Sequence, residues 1–511
     1  MEDEMAHVCH ELATRHNTVP LFVNYVLERK HISGTESSGG VCVNKRDSGI
    51  KNNIAAHIFL GDSLMTSDTG NELNAQSIPD EIGYGSIRNA LRTKSEIAYQ
   101  DAVQRLDYKR TQLKQNPKPA DDAAVPEFKR MPPAVWIGPS ALTNPCPVTD
   151  MEQLSNRLSK VFSDYPELFN HCVKVYQKRV DYYRLTSEGQ KILQPDTVFH
   201  ITARASIKTD GNEVKTEYYR LHVGGINDLP SEDALMGELH RFAEYMQQKS
   251  RAKAVEDLYI GPVLYEDESA MELFAGKIAN YTHSYWLWRQ NKSDRKHRYL
   301  GKQVFPSDLS VWQLGNDSVY NGTKLLGYRQ VDADGTRPKT LPLIEKGILK
   351  NMLTGRRPAL GCPTSTGNEH FYELNRDLKT AYTTGILHVT SNRPLPLGQL
   401  RKRFLKSAKK AGLKHAYIFR HKRTSPYALI RVDLNTGKEE LVEGKCYLPS
   451  IEQFRRMKAV SKEKMACNLN PTEGRGRGII APKAILLVDT ELDITPNHGR
   501  HIDETLYELR H

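Results

Sequence analysis

Apolar positions recur at helical spacing in two N-terminal stretches. Residues 2 to 16 align Met5, Val8, Cys9 and Leu12. A longer stripe, Ile87, Ala90, Leu91, Ile97, Ala98, Ala102, Leu106 and Leu113, runs through Ser86 to Leu113 with charges on the other face. Between the two helices so predicted, Val19 to Leu27, Gly40 to Asn44 and Ile54 to Leu60 read as strands. Asn116 to Pro133 (NPKPADDAAVPEFKRMPP) has the Pro-rich, polar composition of an extended linker. A second α-then-β block follows, with a helix from Met151 to about Phe169 and strands across Val173 to Leu185 and Val198 to Ile207. Ser231 to Leu258 reads as a further helix on the alignment of Leu235, Leu239, Phe242 and Met246.

After Tyr259 the pattern changes to short strands and frequent turns, interrupted by one clear helix, Leu397 to Ala411, with Gly412 as a left-handed cap. Within this half, Asp332-Ala333-Asp334-Gly335-Thr336 is a turn by its Asp and Gly content. Leu341, Leu343, Ile344, Ile348, Leu349, Met352 and Leu353, broken at Lys346-Gly347, predict a hairpin of short strands. Gly361 to Asn368 is Gly-, Pro- and Thr-rich, too polar and irregular for core, and is expected to be a loop displayed by the hairpin. A chain of 511 residues is long for one core. The expected class is α+β, with an α/β domain over 1–230 and a β-rich, barrel-like domain over 231–511.

Composition narrows the class. At 39% apolar and 26% charged residues the chain reads as an ordinary globular protein, and no apolar run approaches the ~18–20 residues of a membrane helix. The acidic start MEDEMAHVCHEL is unlike a secretory leader, so a cytoplasmic location is expected, an exported protein with its leader removed being the alternative. The seven cysteines (9, 42, 146, 172, 362, 446 and 467) contain no C-x-x-C, against both a disulfide framework and a zinc ribbon. The net charge is +11. Its densest cluster is Arg401-Lys402-Arg403, Lys406, Lys409, Lys410 and Lys414, continued by Arg420 to Arg423, on a helix anchored by Leu400, Phe404, Leu405 and Ala408. No zinc finger, helix-turn-helix spacing or RNA-binding aromatic motif accompanies it, so nucleic-acid binding by a basic face stands only as an alternative. Walker A and G-x-G-x-x-G motifs are absent, as is a G-x-S-x-G elbow. His7 and His10 share a helix face while His16 points away, which reads as a solvated helix.

Several motifs in order carry a resemblance. They are Thr186-Ser187-Glu188-Gly189, Asp210-Gly211, Gly261-Pro262-Val263-Leu264, the Asp332 to Thr336 turn, Ile344-Glu345-Lys346-Gly347-Ile348-Leu349, Thr366-Gly367-Asn368 and Leu434 to Glu440. Over roughly residues 150 to 495 the chain resembles the TldD/PmbA family, the metallopeptidase-like modulators of DNA gyrase. The resemblance implies peptide processing by an active subunit paired with an inactive sister. Active members carry H-E-x-x-x-H after the G-P-V-L strand and a cysteine near the C-terminus, three ligands that leave zinc an open water position. Here the stretch is Tyr265-Glu266-Asp267-Glu268-Ser269-Ala270, with Tyr265 and Ala270 in the histidine places and no histidine from Tyr265 to Asn280. The three adjacent carboxylates read as a solvated acidic turn.

The chain thus resembles the branch that lacks the motif, and the family's catalytic residues do not transfer. No catalytic residue and no cofactor is expected. Cys467 and His283 are the candidates for a zinc peptidase with displaced ligands, the other alternative. The resemblance places peptide or partner binding at Thr366, Gly367 and Asn368. It implies a peptide or protein substrate and a homodimer or a heterodimer with a TldD-like subunit, with no membrane role.

Overall fold

Two long strands, β1 (Phe22–Ser38) and β2 (Val41–Phe59), form the hairpin from which the N-terminal half grows. Gly39 and Gly40, at φ 56° and 88°, close it in a conformation that residues with a Cβ adopt poorly. The three short strands expected before residue 60 are therefore two long ones. Gly40 to Asn44 and Ile54 to Leu60 fall at the ends of β2, whose polar middle is a largely exposed sheet edge. The computed structural model describes residues 1–16, 18–68, 73, 75–79, 83–118, 120–209, 212–255, 259–282, 299–315, 319–374, 377–421, 424–425, 428–444, 449–469 and 478–492.

Strands β3 (Gln76–Ile78), β4 (Ala134–Ile137), β5 (Phe169–Thr186), β6 (Gln190–Lys208) and β7 (Val214–Val223) complete one sheet in the order β7-β6-β5-β1-β2-β3, with β4 parallel to β6. Its long pairs are antiparallel, so register is set by hairpins, and the two faces differ sharply in character. Four helices lie on one face. Helices α1 (Glu2–His16) and α2 (Tyr84–Gln115) bury Met5, Leu12, Leu91 and Leu106 against Val23, Tyr25, Ile54 and Leu185. After the one-turn α3 (Ala120–Ala123), α4 (Val148–Ser159) and α5 (Glu232–Ser250) bury Leu154, Leu158, Leu239 and Phe242 against Val173, Val175, Phe199 and Ile201. Ser231 caps α5 through its side chain, which accepts from the Ala234 N–H at 3.3 Å.

The C-terminal half contains two further sheets. After β8 (Lys253–Ala254), strand β9 (Tyr259–Asp267) runs into α6 (Glu268–Thr282). Strands β10 (Leu309–Leu314), β11 (Val319–Tyr320), β12 (Thr323–Lys324), β13 (Leu341–Glu345) and β14 (Ile348–Leu349) come next. They are followed by β15 (Glu369–Leu374), β16 (Asp377–Tyr382), β17 (Ile386–Ser391) and helix α7 (Leu397–Lys410). The chain continues with β18 (His415–His421), β19 (Thr424–Ser425), β20 (Ala428–Asp433) and β21 (Glu439–Glu443). After α8 (Ile451–Arg455) come β22 (Ala459–Val460), β23 (Lys464–Asn468), β24 (Gly478–Pro482) and β25 (Ala484–Leu492).

One sheet runs β22-β25-β9-β18-β20-β21-β8 and the other β14-β13-β10-β17-β24-β23. They enclose the largest apolar core, which α6 joins through Ala270, Met271 and Phe274. Helix α7 covers the outer face of the first sheet with Leu400, Phe404 and Ala408, and Gly412 follows it at φ 71°, as expected of its cap. The expected β13–β14 hairpin is present, with Lys346 and Gly347 at φ 48° and 76°. The expected barrel is not: both sheets have two ends, and no barrel closes among the described residues. None of the described helices is long and apolar enough to cross a membrane.

The two halves are stitched together. β19 pairs with β7, and the β15–β16 hairpin lays Phe371 and Leu378 on Val26, Val180 and Tyr182, on the sheet face away from the helices. The Pro-rich segment 116–133 is packed and not a free tether. Glu127 and Phe128 are buried, and the Lys129 N–H donates to the Arg356 carbonyl. Lys109 on α2 donates to Glu127 and to the carbonyls of Thr66 and Asp68, while Lys118 donates to the other Glu127 oxygen. Removing one member of a buried pair strands the other charge, at a cost of about 3–5 kcal/mol. Glu127→Ala is accordingly expected to lower the urea midpoint by that equivalent, and Lys109→Met with Glu127→Leu to recover much of the loss.

Candidate functional site

The Asp332–Thr336 turn is buried. One Asp332 oxygen accepts the N–H groups of Asp334 and Thr336, each at 2.9 Å, and the other accepts that of Glu369 at 3.1 Å. Gly335, at φ 79°, lies where a Cβ would stand 2.8 Å from Ala134 and 2.9 Å from Ile192, so the turn seats directly on the N-terminal sheet. This holds Asp334 Oδ1 against Arg356 Nη2 at 3.1 Å and Arg184 Nη1 at 3.2 Å. Arg356 also donates to Glu188 from the β5–β6 turn at 2.5 Å, and its guanidinium lies 4.3 Å over the Phe22 ring. Arg184 on β5 reaches Glu369 at 3.2 Å and Asn24 on β1 at 2.9 Å. Beside them Arg357 pairs with Asp68 at 2.5 Å. Three of the motifs that carried the resemblance, 186–189, 332–336 and 366–368, thus converge on one buried ionic cluster between the two halves.

The carboxylates there do not titrate alike. Burial and then the charge of Asp334 push Glu369 up to about 7. Burial works the same way on Asp334, but Arg356 and Arg184 hold it well below the carboxylate range. Asp332, buried and facing both other acids, is raised well above its ordinary value. Asp334 is therefore the ion, and Glu369 is the group that carries a proton toward it.

Thr366, Gly367 and Asn368 lie at the edge of this cluster, and they are buried. The Thr366 hydroxyl donates to the Thr354 carbonyl and accepts its N–H, both at 3.0 Å. Asn368 donates to the Thr383 carbonyl at 3.1 Å. Gly367 sits at φ 76° with a Cβ position 2.4 Å from the Arg337 carbonyl. The expectation that the whole polar stretch 361–368 is displayed is corrected: local hydrogen bonds satisfy its second half and let it pack, while Gly361, Pro363 and Thr364 stay exposed.

The residues in the histidine places lie elsewhere, at the β9–α6 junction. Tyr265 stacks on Phe419 with centroids 5.0 Å apart, and Ala270 is fully buried. Both belong to the same apolar core as Cys467 on β23, with Phe274 and Ile479. Glu266 turns to the opposite side of β9. Arg401 donates to its two oxygens at 2.7 and 2.8 Å and Arg420 to one at 2.9 Å. Burial alone would raise this carboxyl, but the Arg401 hydrogen bonds and the Arg420 charge carry it below the usual range. Asp267 pairs instead with Lys483 at 3.3 Å, so the acidic run does not converge. Tyrosine and alanine in packed apolar surroundings do not fit a zinc centre. Among the described residues no three His, Cys, Asp or Glu side chains are grouped to hold a metal. His283, like His297 and Asp210-Gly211, lies outside the described residues.

Arg184, Glu188, Arg356 and Glu369 were not singled out by sequence reasoning as a set. One signal was available: Arg356-Arg357 stands between Met352-Leu353 and Pro358-Ala359-Leu360, an apolar setting in which arginines need buried partners. Glu369 supplies a pH test. Its folded value lies above the ordinary 4.5, so its contribution to stability is complete below about 4.5 and is lost as pH rises through about 7. In Glu369→Gln the amide can donate to Asp334 at every pH. The melting temperature of the wild type minus that of E369Q should fall across this window; a difference that stays constant would refute the assignment.

Residues 260–388 match the family model of the PmbA/TldA metallopeptidase C-terminal domain. No curated protein sequence matches the chain. Among solved structures, it resembles a protein described as a modulator of a DNA gyrase from Thermotoga maritima, at 13% identity and TM-score 0.57, covering 96% of this chain and 99% of that one. TldE from Thermococcus kodakarensis is similar at 11% identity and TM-score 0.56, with coverage of 96% and 99%. A protein described as a modulator of DNA gyrase from Bacteroides thetaiotaomicron is similar at 12% identity and TM-score 0.58, with coverage of 97% and 99%. At these identities the likeness is one of fold. The family model falls on the β9–α6 junction, the Asp332–Thr336 turn and the 366–368 segment, so residues 260–388 carry the C-terminal domain of the TldD/PmbA family.

Proposed function

We infer that this chain is a non-catalytic, metal-less subunit of the TldD/PmbA type, which binds a peptide or a partner in peptide processing. The observation that carries the reading is the fate of the histidine places: Tyr265 and Ala270 are filled into the same core as Cys467. Hydrolysis by a zinc-bound water needs several neutral or anionic ligands around an open position. Glu266 is poorly suited as a general base, because two guanidiniums engage both its oxygens. A subunit carrying H-E-x-x-x-H is the partner this reading calls for, in a heterodimer, with a homodimer as the other assembly.

The 361–368 segment is the proposed contact. Its buried half, Thr366, Gly367 and Asn368, holds the loop, and the exposed Gly361, Pro363 and Thr364 face the ligand. Purified protein is expected to hold well under one zinc per chain, to show no chelator-sensitive peptide cleavage, and to retain an H-E-x-x-x-H protein when isolated from its native source. One equivalent of zinc lost together with activity in Cys467→Ala and His283→Ala would establish the displaced-ligand peptidase instead. Thr366→Ala is expected to cost about 1–3 kcal/mol in denaturation, since it leaves a buried Thr354 amide unpaired. Pro363→Gly with Thr364→Ala should leave the melting temperature nearly unchanged and weaken capture of peptide or partner.

A further inference from the structure

Helix α7 buries one face and leaves the other to solvent. Leu400, Phe404 and Ala408 are buried against the outer side of the sheet that holds β9. Lys402, Arg403, Lys406, Lys409 and Lys410 are exposed, and at 3.6 residues per turn they share an arc of about 120°. From Lys402 to Lys410 the row is about 12 Å long, and the exposed Lys414 follows the Gly412 cap. The helix contains no acidic residue. Arg401, beside the arc, is committed to Glu266, and the neighbouring Glu439 is engaged by Arg401 and Arg420. None of the five outward cations forms an ion pair or a side-chain hydrogen bond with a described residue. Lys402, Lys406 and Lys410 stand one turn apart and repel one another, a cost that a bound polyanion would relieve.

We propose that this row is a docking surface for the phosphate backbone of a nucleic-acid duplex, bound without regard to sequence. The character of the helix selects that partner. Binding to a membrane needs an apolar helix face open to lipid, and the apolar face of α7 is occupied by the sheet. A protein partner needs apolar or aromatic anchors at the centre of the contact, where lysine is depleted. No aromatic and no exposed large apolar side chain stands among the outward residues of α7. The same lack of aromatics withholds the stacking platforms that a single strand uses. A duplex asks for neither. It presents about one charge per 1.7 Å of its axis, and each phosphate neutralised releases condensed counterions. Lysines acting as separate point charges suit that contact, and Arg403 adds a fork for one phosphate. The surface lies on a different element from the 361–368 segment, so the proposal goes beyond the metal-less-subunit reading without depending on it.

The test is fluorescence anisotropy on the full chain with a labelled mixed-sequence DNA duplex of about twenty base pairs, repeated over a salt series. Log Kd is expected to rise linearly with log salt, with a slope that reports about three to five phosphates neutralised. Lys402→Ala with Lys406→Ala and Lys410→Ala should weaken low-salt binding at least about tenfold and lower that slope by about two to three. Lys406→Arg with Lys410→Arg should retain wild-type binding. If the triple variant fails to fold, Lys406→Ala alone should give a smaller loss in the same direction. Lys114→Ala with Lys302→Ala, exposed lysines on α2 and ahead of β10, should leave binding intact. Polyglutamate of equal charge and phosphatidylserine vesicles should bind at least about tenfold more weakly than the duplex. Absence of duplex binding at low salt, binding untouched by the α7 substitutions, or equally tight binding of polyglutamate or vesicles would each overturn the proposal. Zinc content and peptide capture are separate readouts, so failure here would leave the metal-less subunit standing.

Discussion

The structure depends on the contact of Arg356 with Asp334. A guanidinium and a carboxylate are removed from water together, which is tolerable only if their remaining donors and lone pairs are satisfied. Each partner brings a different part of the chain to the same place. Arg356 recruits Glu188 from the β5–β6 turn and the rings of Phe22 and Phe128, while Asp334 recruits Arg184 and, through Asp332, the β15 backbone. The cluster thereby sets how the N-terminal sheet meets the C-terminal half. It also gives a reason for short motifs far apart in sequence: their turns exist to aim side chains at one buried point. A cluster of this kind adds less to net stability than to specificity of docking, since mispaired charges in that interior would be far more costly than the paired ones are favourable.

The N-terminal sheet then divides its labour by face. Four helices take one side, where Val173 and Val175 of β5 and Phe199, Ile201, Ala203, Ala205 and Ile207 of β6 supply the apolar surface. The other side is apolar only where the β15–β16 hairpin lies on it and becomes cationic past the hairpin's end. Polar residues return on that face where the hairpin stops covering it, because a strand residue needs to be apolar only where something packs on it.

The β9–α6 junction is closed by apolar packing. Tyr265 and Ala270 contribute an aromatic stack and a close helix contact to the core between the sheets. Burying a ring there adds apolar area and packing enthalpy that a pair of imidazoles without metal would not supply. Glu266 remains, but on the other side of the strand it locks helix α7 to the sheet through Arg401, with Glu439 and Arg420 extending the network. One member of what looked like a solvent-facing basic helix is thus a structural residue.

Periodicity alone determined the helices α2, α5 and α7, the β13–β14 hairpin and the mixed class of the fold, because each of these is set by contacts within a few residues and by the one face it buries. The motifs determined the family for a similar reason: glycines at positive φ and capping aspartates act locally. Tertiary structure decided the rest. Lys45 to Asn53 looked like a break between strands because exposed edge residues need no alternation, and only pairing with β1 makes them one strand. The segment 366–368 looked displayed because its polarity is visible in sequence while its partners, Thr354 and Thr383, are not. The ionic cluster was out of reach for the same cause. Arg184 and Asp334 are 150 residues apart, and nothing in the neighbourhood of either names the other until the sheet and the turn are brought together.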